Sequence, residues 1–142
     1  MTVLDAYAVL AFLRDEPAAA AVADLLHDPT VLSAVNATEV VDQLVRIFGR
    51  DPDDVHADLV LLEYTGMHLA AVPTEVGLLA GRLRARHYHA QRMAVSLADC
   101  IAAATALTVA RPLATSDPAL AAMVRAEAGA VHGLPDSMGR VP

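Results

Sequence analysis

The stretch TVLDAYAVLAFL, residues 2–13, decides how the rest of the chain is read. An apolar run, Thr2 to Leu4, stops at Asp5. Tyr7, Leu10 and Leu13 then recur at helical spacing, with Val9 and Phe12 beside them. A strand that hands over to a helix at a carboxylate is the start of a strand–helix unit. The same alternation continues along the chain. TVLSAV (30–35), MHLAAV (67–72), RPLATSD (111–117) and AVHGLP (130–135) read as further strands. EPAAAAVADLLHD (16–28), the segment from Asn36 to Phe48, DPDDVHADLVLLEYTG (51–66), the segment after Pro73, SLADCIAAATALTVA (96–110) and PALAAMVRAEAG (118–129) read as helices. Asn36 is the expected cap of the helix after the second strand, and Gly49 and Gly66 are the expected stops. Two helices in succession between strands two and three suggest a projecting helical pair. Strands alternating with helices imply an α/β domain with a central, mainly parallel sheet of four or five strands flanked by helices. The 142 residues fit one domain, with a loop tail over about 135–142.

Composition narrows the function. The chain is 56% hydrophobic but only 4% aromatic, which calls for closely packed small side chains. Its single cysteine, Cys100, excludes an internal disulfide framework and a cysteine-rich zinc site, and reads as a buried structural thiol. The net charge of −7 is not that of a nucleic-acid clamp. All ten basic residues are arginines. The longest apolar stretch, MAVSLADCIAAATALTVA (93–110), is mostly alanine and carries Asp99, so a buried helix is expected rather than a membrane span. No secretory-signal pattern precedes Arg14, and a cytoplasmic location is expected.

Four acids stand at comparable junctions. Asp5 ends strand one and Asp117 ends strand four; Glu39 and Asp99 fall in what read as the first turns of their helices. Ligands of open α/β sheets bind beyond the carboxyl ends of the strands. Asp5, Asp117 and, if its helix follows strand two directly, Glu39 belong on that edge. Asp99 joins them only if its helix points the right way. Each acid alone is explained by capping: Asp5 as an N-cap, Asp117–Pro118 as an N-cap and first-turn pair, Asn36-x-x-Glu39 and Ser96-x-x-Asp99 as capping boxes. Their joint placement favours a hard cation, because gathered carboxylates repel and Mg²⁺ or Mn²⁺ takes oxygen ligands.

The blocks VLDAYAVLAFL, SAVNATEVV, SLADCIAAATA and LATSDPALAAM together resemble the four motif blocks of PIN-domain ribonucleases, in order and near their spacings. The likeness is nearest to the VapC-like toxins of type II toxin–antitoxin systems and runs from Val3 to about Val131. It implies a three-layer PIN-like fold and an Mg²⁺- or Mn²⁺-dependent endoribonuclease. Asp5, Glu39, Asp99 and Asp117 would then form the acidic metal site, with Thr115 and Ser96 as supporting hydroxyls. The hydroxyl that the family carries just after its first acid could here come only from Tyr7. Water activated by the metal would attack phosphorus and leave 5′-phosphate and 3′-hydroxyl ends. The resemblance also implies a homodimer and a cognate antitoxin that holds the enzyme inactive, with transfer, ribosomal or messenger RNA as substrate.

GRLRARHYHAQR (81–92) supplies Arg82, Arg84 and Arg86 as contacts for RNA or antitoxin, against the reading of a solvated face. Asp42 reads as a surface acid, and His87 and His89, two apart, do not share a helix face. Two other functions fit the acids: a partner-binding module in which they only cap helices, and a phospho-acceptor receiver domain. The receiver reading lacks its lysine. A histidine-based, metal-independent ribonuclease would survive EDTA.

Overall fold

A computed structural model describes residues 1–142. Five strands, β1 (Thr2–Leu4), β2 (Thr30–Ser33), β3 (Met67–Ala70), β4 (Leu113–Thr115) and β5 (Val131–Gly133), form one sheet in the order β3-β2-β1-β4-β5. All four pairings are parallel. Seven helices accompany them: α1 (Ala6–Leu13), α2 (Ala19–Leu25), α3 (Ala34–Asp42), α4 (Pro52–Tyr64), α5 (Thr74–His87), α6 (Leu97–Thr108) and α7 (Pro118–Ala126). The expected parallel α/β architecture is therefore what forms, including the fifth strand.

The strands alternate side chains between two helical layers, as a pleated backbone requires. Leu4, Leu32 and Ala114 point into the layer built from α1 to α4. Val3 and Leu113, with Val31 and Val131 packed against them, point into the layer of α5 to α7. The second layer is alanine-rich: Ala102, Ala103, Ala104 and Ala106 of α6 are fully or almost fully buried. Small side chains bring α6 close to the sheet and α5, which explains how so few aromatics suffice. No helix is long and apolar enough to cross a membrane.

Two local expectations change. The cap of α3 is Ser33, whose hydroxyl oxygen accepts from the Asn36 amide at 3.0 Å. Helix α3 therefore starts before Asn36, and Glu39 lies in its second turn rather than its first. Second, the segment between β2 and β3 does not project. After a π-turn, Gln43–Ile47, and Gly49 at φ +67°, α4 returns and buries Val55, Leu59 and Leu62 in the core. The tail after β5 is loop, as expected, and it is held to the body by local contacts. Leu134 is buried, and Asp136 accepts hydrogen bonds from Met138 N–H and Arg140 N–H while pairing with the Arg140 guanidinium at 2.7 Å.

Candidate active site

The carboxyl end of the sheet opens into a cavity of about 380 Å³. Asp5, Glu39, Asp99 and Asp117 all line it, and no basic residue does. Asp5, Asp99 and Asp117 arrive at the starts of three helices and Glu39 from the second turn of α3, so the sheet edge gathers residues from both ends of the chain. Ser116, Gln43 and Tyr7 line the same cavity. Ser116 and Gln43 escape a reading of the sequence because neither belongs to a recognisable pattern. Their positions beside Asp117 and one helical turn after Glu39 are the signals they carry.

Capping and site membership coincide. Asp5 is the N-cap of α1 and accepts from Ala8 N–H at 2.8 Å. Asp117 is the N-cap of α7, with Pro118 next, and accepts from Ala119 and Leu120 N–H. Asp99 completes a true capping box: Asp99 N–H donates to Ser96 Oγ at 3.0 Å, and Ser96 N–H donates to Asp99 Oδ2 at 2.6 Å. Each cap occupies part of one carboxylate and leaves the remaining lone pairs for a ligand. Glu39 caps nothing; Gln43 Nε2 donates to its Oε1 at 3.1 Å.

Thr115 is fully buried and accepts from Asp117 N–H at 3.0 Å, while its hydroxyl faces Asp5. It thus ties the first acid to the last. Ser96 supports Asp99 through the cap. Tyr7 does not support Asp5 in the expected way: its hydroxyl donates to Pro135 O at 3.3 Å, in the tail.

Asn36 has a larger role than the cap expected of it. The side chain is buried at 1% exposure. Its Oδ1 accepts from the Ser33 hydroxyl at 2.5 Å, and its Nδ2 donates to Ala98 O at 3.2 Å. Ala98 immediately precedes Asp99, and Glu39 is three residues after Asn36. One amide therefore fixes the start of α3 against the start of α6, and with it two acids from separate helices.

Electrostatics single out Asp5. Only 4% exposed, its carboxyl is pushed up to about 7 by burial, with further upward pushes from the charges of Asp99 and Glu39. The Thr115 hydrogen bond and the Ala8 amide oppose the shift. Glu39 is also raised, by burial first and by Asp99 second. An acidic cavity with no basic counter-group has the donor chemistry and the unbalanced charge that suit a hard divalent cation. The side chains line the cavity without meeting: no three acidic, histidine or cysteine side chains form a ready-made ligand group. Four carboxylates with no cation among them fit Mg²⁺ or Mn²⁺ in kind and in charge.

The arginine cluster is partly committed elsewhere. Arg86 pairs with Glu127 at 2.7 Å, and His87 Nε2 meets the same carboxylate oxygen at 2.7 Å. Arg84 donates to Val95 O at 3.3 Å and lies 4.3 Å over the Tyr88 ring. Arg82 is exposed and has no such partner. Asp42 is a surface acid paired with Arg46 at 2.6 Å. Cys100 is fully buried, and burial pushes its thiol up to about 11, so it stays protonated and unreactive at neutral pH.

The PIN-domain family model matches residues 2–126. The chain belongs to the PIN-domain family. Three solved structures share its fold. VapC20 of Mycobacterium tuberculosis, a sarcin–ricin loop cleaving toxin, superposes with a TM-score of 0.69 at 15% identity, covering 86% of this chain and 94% of that one. VapBC2 from Rickettsia felis, bound to a DNA fragment from its promoter, gives 0.67 at 13% identity, covering 92% and 96%. A toxin–antitoxin complex from Klebsiella pneumoniae gives 0.66 at 14% identity, covering 86% and 91%. At these identities the likeness is one of fold. Among curated proteins the comparison finds no match.

Proposed function

We propose that this PIN domain is a metal-dependent endoribonuclease and the toxin of a toxin–antitoxin pair, with the cavity at the sheet edge as its active site. The observation that carries the proposal is the convergence of Asp5, Glu39, Asp99 and Asp117 on one cavity that holds no cationic side chain. Family membership and the toxin folds it shares support the same reading.

In this reading the four carboxylates hold Mg²⁺ or Mn²⁺. Bound there, the ion supplies a nucleophile at neutral pH and polarises the scissile phosphate of RNA. The chain's own residues do the rest. The helix caps hold Asp5, Asp99 and Asp117 in place, and the Asn36 amide holds the helix of Glu39 against that of Asp99. Thr115 keeps Asp5 and Asp117 in register. A bound cation would also offset the burial and, after it, the charges of Asp99 and Glu39 that raise Asp5.

A cognate antitoxin that fills this groove, a homodimer, and a cytoplasmic location are parts of the same proposal. The partner-binding alternative takes capping, which three of the four acids do perform, as their whole role. Calorimetry and RNA cleavage separate the two. The wild-type chain is expected to bind Mn²⁺ and to cut RNA in a reaction that EDTA stops. Asp5→Asn and Asp99→Asn should lose both properties and keep the fold. If neither substitution changes metal binding or cleavage, the acids are caps only and the nuclease reading is lost.

A further inference from the structure

The active-site cavity carries more than one kind of lining. Beside the four acids stand Ala6, Leu10 and Pro118 and the side chain of Tyr7. Tyr7 is the only aromatic residue there. The chain has three tyrosines and two phenylalanines in all. Phe12 lines a separate apolar groove, Phe48 lies under the Arg14 guanidinium, Tyr88 under that of Arg84, and Tyr64 is 85% exposed.

Tyr7 is also held rigid. Its ring is half-buried and packed against the core layer of α1 to α4. Its hydroxyl is tied to Pro135 O, with the Ser116 hydroxyl beside it. The phenol is therefore occupied by its own chain, and what it offers to the cavity is its ring. It follows Asp5 by two residues in the first turn of α1, so ring and carboxylate are set by the same helix start.

A nucleotide presents a partner for each kind of lining: an anionic phosphate for the acids with their metal, and a flat aromatic base for Tyr7. We propose that Tyr7 is the base-contacting residue of the site. Its ring stacks on the nucleobase next to the scissile phosphate, while the acids engage that phosphate through their metal. This assignment rests on the ribonuclease reading above. It also names the form of the substrate. A base can reach the ring only when it is unstacked from its neighbours, as in a single strand or loop. An aromatic side chain in the wall of a nucleic-acid site is a means by which proteins hold such bases, and stacking tolerates any base that presents a π-face.

The test uses the full chain in Ca²⁺, with short single-stranded oligoribonucleotides in which one nucleotide at a time lacks its base. Affinity is read by fluorescence anisotropy, and Mn²⁺ calorimetry on each variant checks that the acidic site is intact. The wild type is expected to lose about tenfold in affinity when the base at one position is missing. Tyr7→Leu, which keeps apolar volume but not the ring, should lose about as much on intact RNA and nothing further on the abasic strand. Tyr7→Phe lacks the tether to Pro135 but retains the ring, and should restore the dependence on the base. If Tyr7→Leu keeps the wild-type base dependence, or binds intact RNA as tightly as the wild type, the assignment is overturned and the nuclease reading stands. If the wild type binds none of the strands, the RNA reading falls and this assignment falls with it.

Discussion

Two helix starts in this protein obey the same rule and do different work. Helix α3 begins Ser33-Ala34-Val35-Asn36, and α6 begins Ser96-Leu97-Ala98-Asp99. In both, the serine caps the amide three residues on. In α6 the third-position acid bonds back to the cap amide and sits half-exposed in the cavity. In α3 the third-position amide is buried, takes the Ser33 hydroxyl, and reaches across to Ala98 O at the start of the other helix. Local grammar is shared; the environment decides whether the third side chain meets a ligand or a neighbouring helix. Capping is therefore no argument against a functional role, because a carboxylate has lone pairs for both.

The largest effect should come from separating the two roles of Asp99. Asp99→Asn keeps an oxygen for the Ser96 amide but removes the charge. Cleavage should fall by at least about a thousandfold, with little change in melting temperature. That exceeds the roughly 10–100-fold loss typical when a residue that only orients a metal ligand is removed. Asp99→Ala should show the same loss of activity plus about 1 kcal/mol of lost cap stability. Equal activity in the two variants and the wild type, by gel-based cleavage in Mn²⁺, would leave Asp99 as part of a capping box and nothing more.

The next effect concerns charge. Asp5 carries its proton up to about pH 7 in the metal-free fold, against 3.8 in the unfolded chain. Between those values the folded protein binds more protons than the unfolded one, so stability falls as pH rises from about 4 to 7. The contribution of Asp5 is full below 3.8 and lost above about 7, and Glu39, also raised, acts in the same direction. A carboxyl raised this far changes stability by at most about 4 kcal/mol. Chemical denaturation in EDTA across that range should show the decline, and Mn²⁺ should stabilise the protein more at pH 7 than at pH 5. A flat profile in EDTA would mean that burial does not hold the Asp5 carboxyl above its ordinary range. The Asn36 helix start has no such titrating group, so Asp5→Asn should flatten the curve while Asn36→Ala leaves its shape.

Asn36→Ala tests the other helix start directly. It strands a buried hydroxyl and a carbonyl, at a cost of about 2–3 kcal/mol. It also frees α3 to shift against α6, and a displacement of about 1 Å between Glu39 and Asp99 can lower cleavage about a hundredfold. Asn36→Asp would make the two helix starts alike in sequence. It cannot donate to Ala98 O, so it should be no better than alanine in stability. If Asn36→Asp matches the wild type in both measurements, the bridge to α6 carries no weight.

Much of this arrangement is legible in the residues. The alternation of short apolar runs and 3.6-period segments specifies the parallel sheet, because Val3, Val31, Leu113 and their neighbours face opposite layers in strict turn. The acids are legible by their positions at junctions, since the carboxyl edge of a parallel sheet is where chain order brings them. What is not legible depends on long-range contact. Asn36 and Ala98 are 62 residues apart, and nothing local distinguishes an amide that bridges helices from one that caps its own. The cap of α3 is ambiguous in sequence because Ser33 and Asn36 are both good capping residues. Only the register of β2 against β3, through Ser33 and Ala70, shows where the strand stops. The arginines of α5 look like one patch because helical spacing cannot reveal Glu127, which arrives from the end of α7 to take Arg86 and His87.

The smallest effect compares the two cap serines themselves. Ser96 is exposed, and its hydroxyl serves only the Asp99 amide; Ser96→Ala should cost about 1 kcal/mol or less. Ser33 is 1% exposed and serves twice, accepting from the Asn36 amide and donating to the Asn36 side chain. Ser33→Ala should therefore cost about 2 kcal/mol, the cap plus a buried hydrogen bond. The activities should divide the same way. Ser96→Ala leaves Asp99 with its bond from the Ser96 backbone amide, which the substitution does not touch, so the acid keeps its place. Ser33→Ala loosens the Asn36 side chain that spans the two helices, so cleavage should drop more than the stability difference predicts, and Asn36→Ala on top of it should add little. If instead the two serine variants lose stability equally and the double variant is additive, Ser33 is an ordinary cap. The helix of Glu39 is then positioned by apolar packing of Ala37 and Val40 alone.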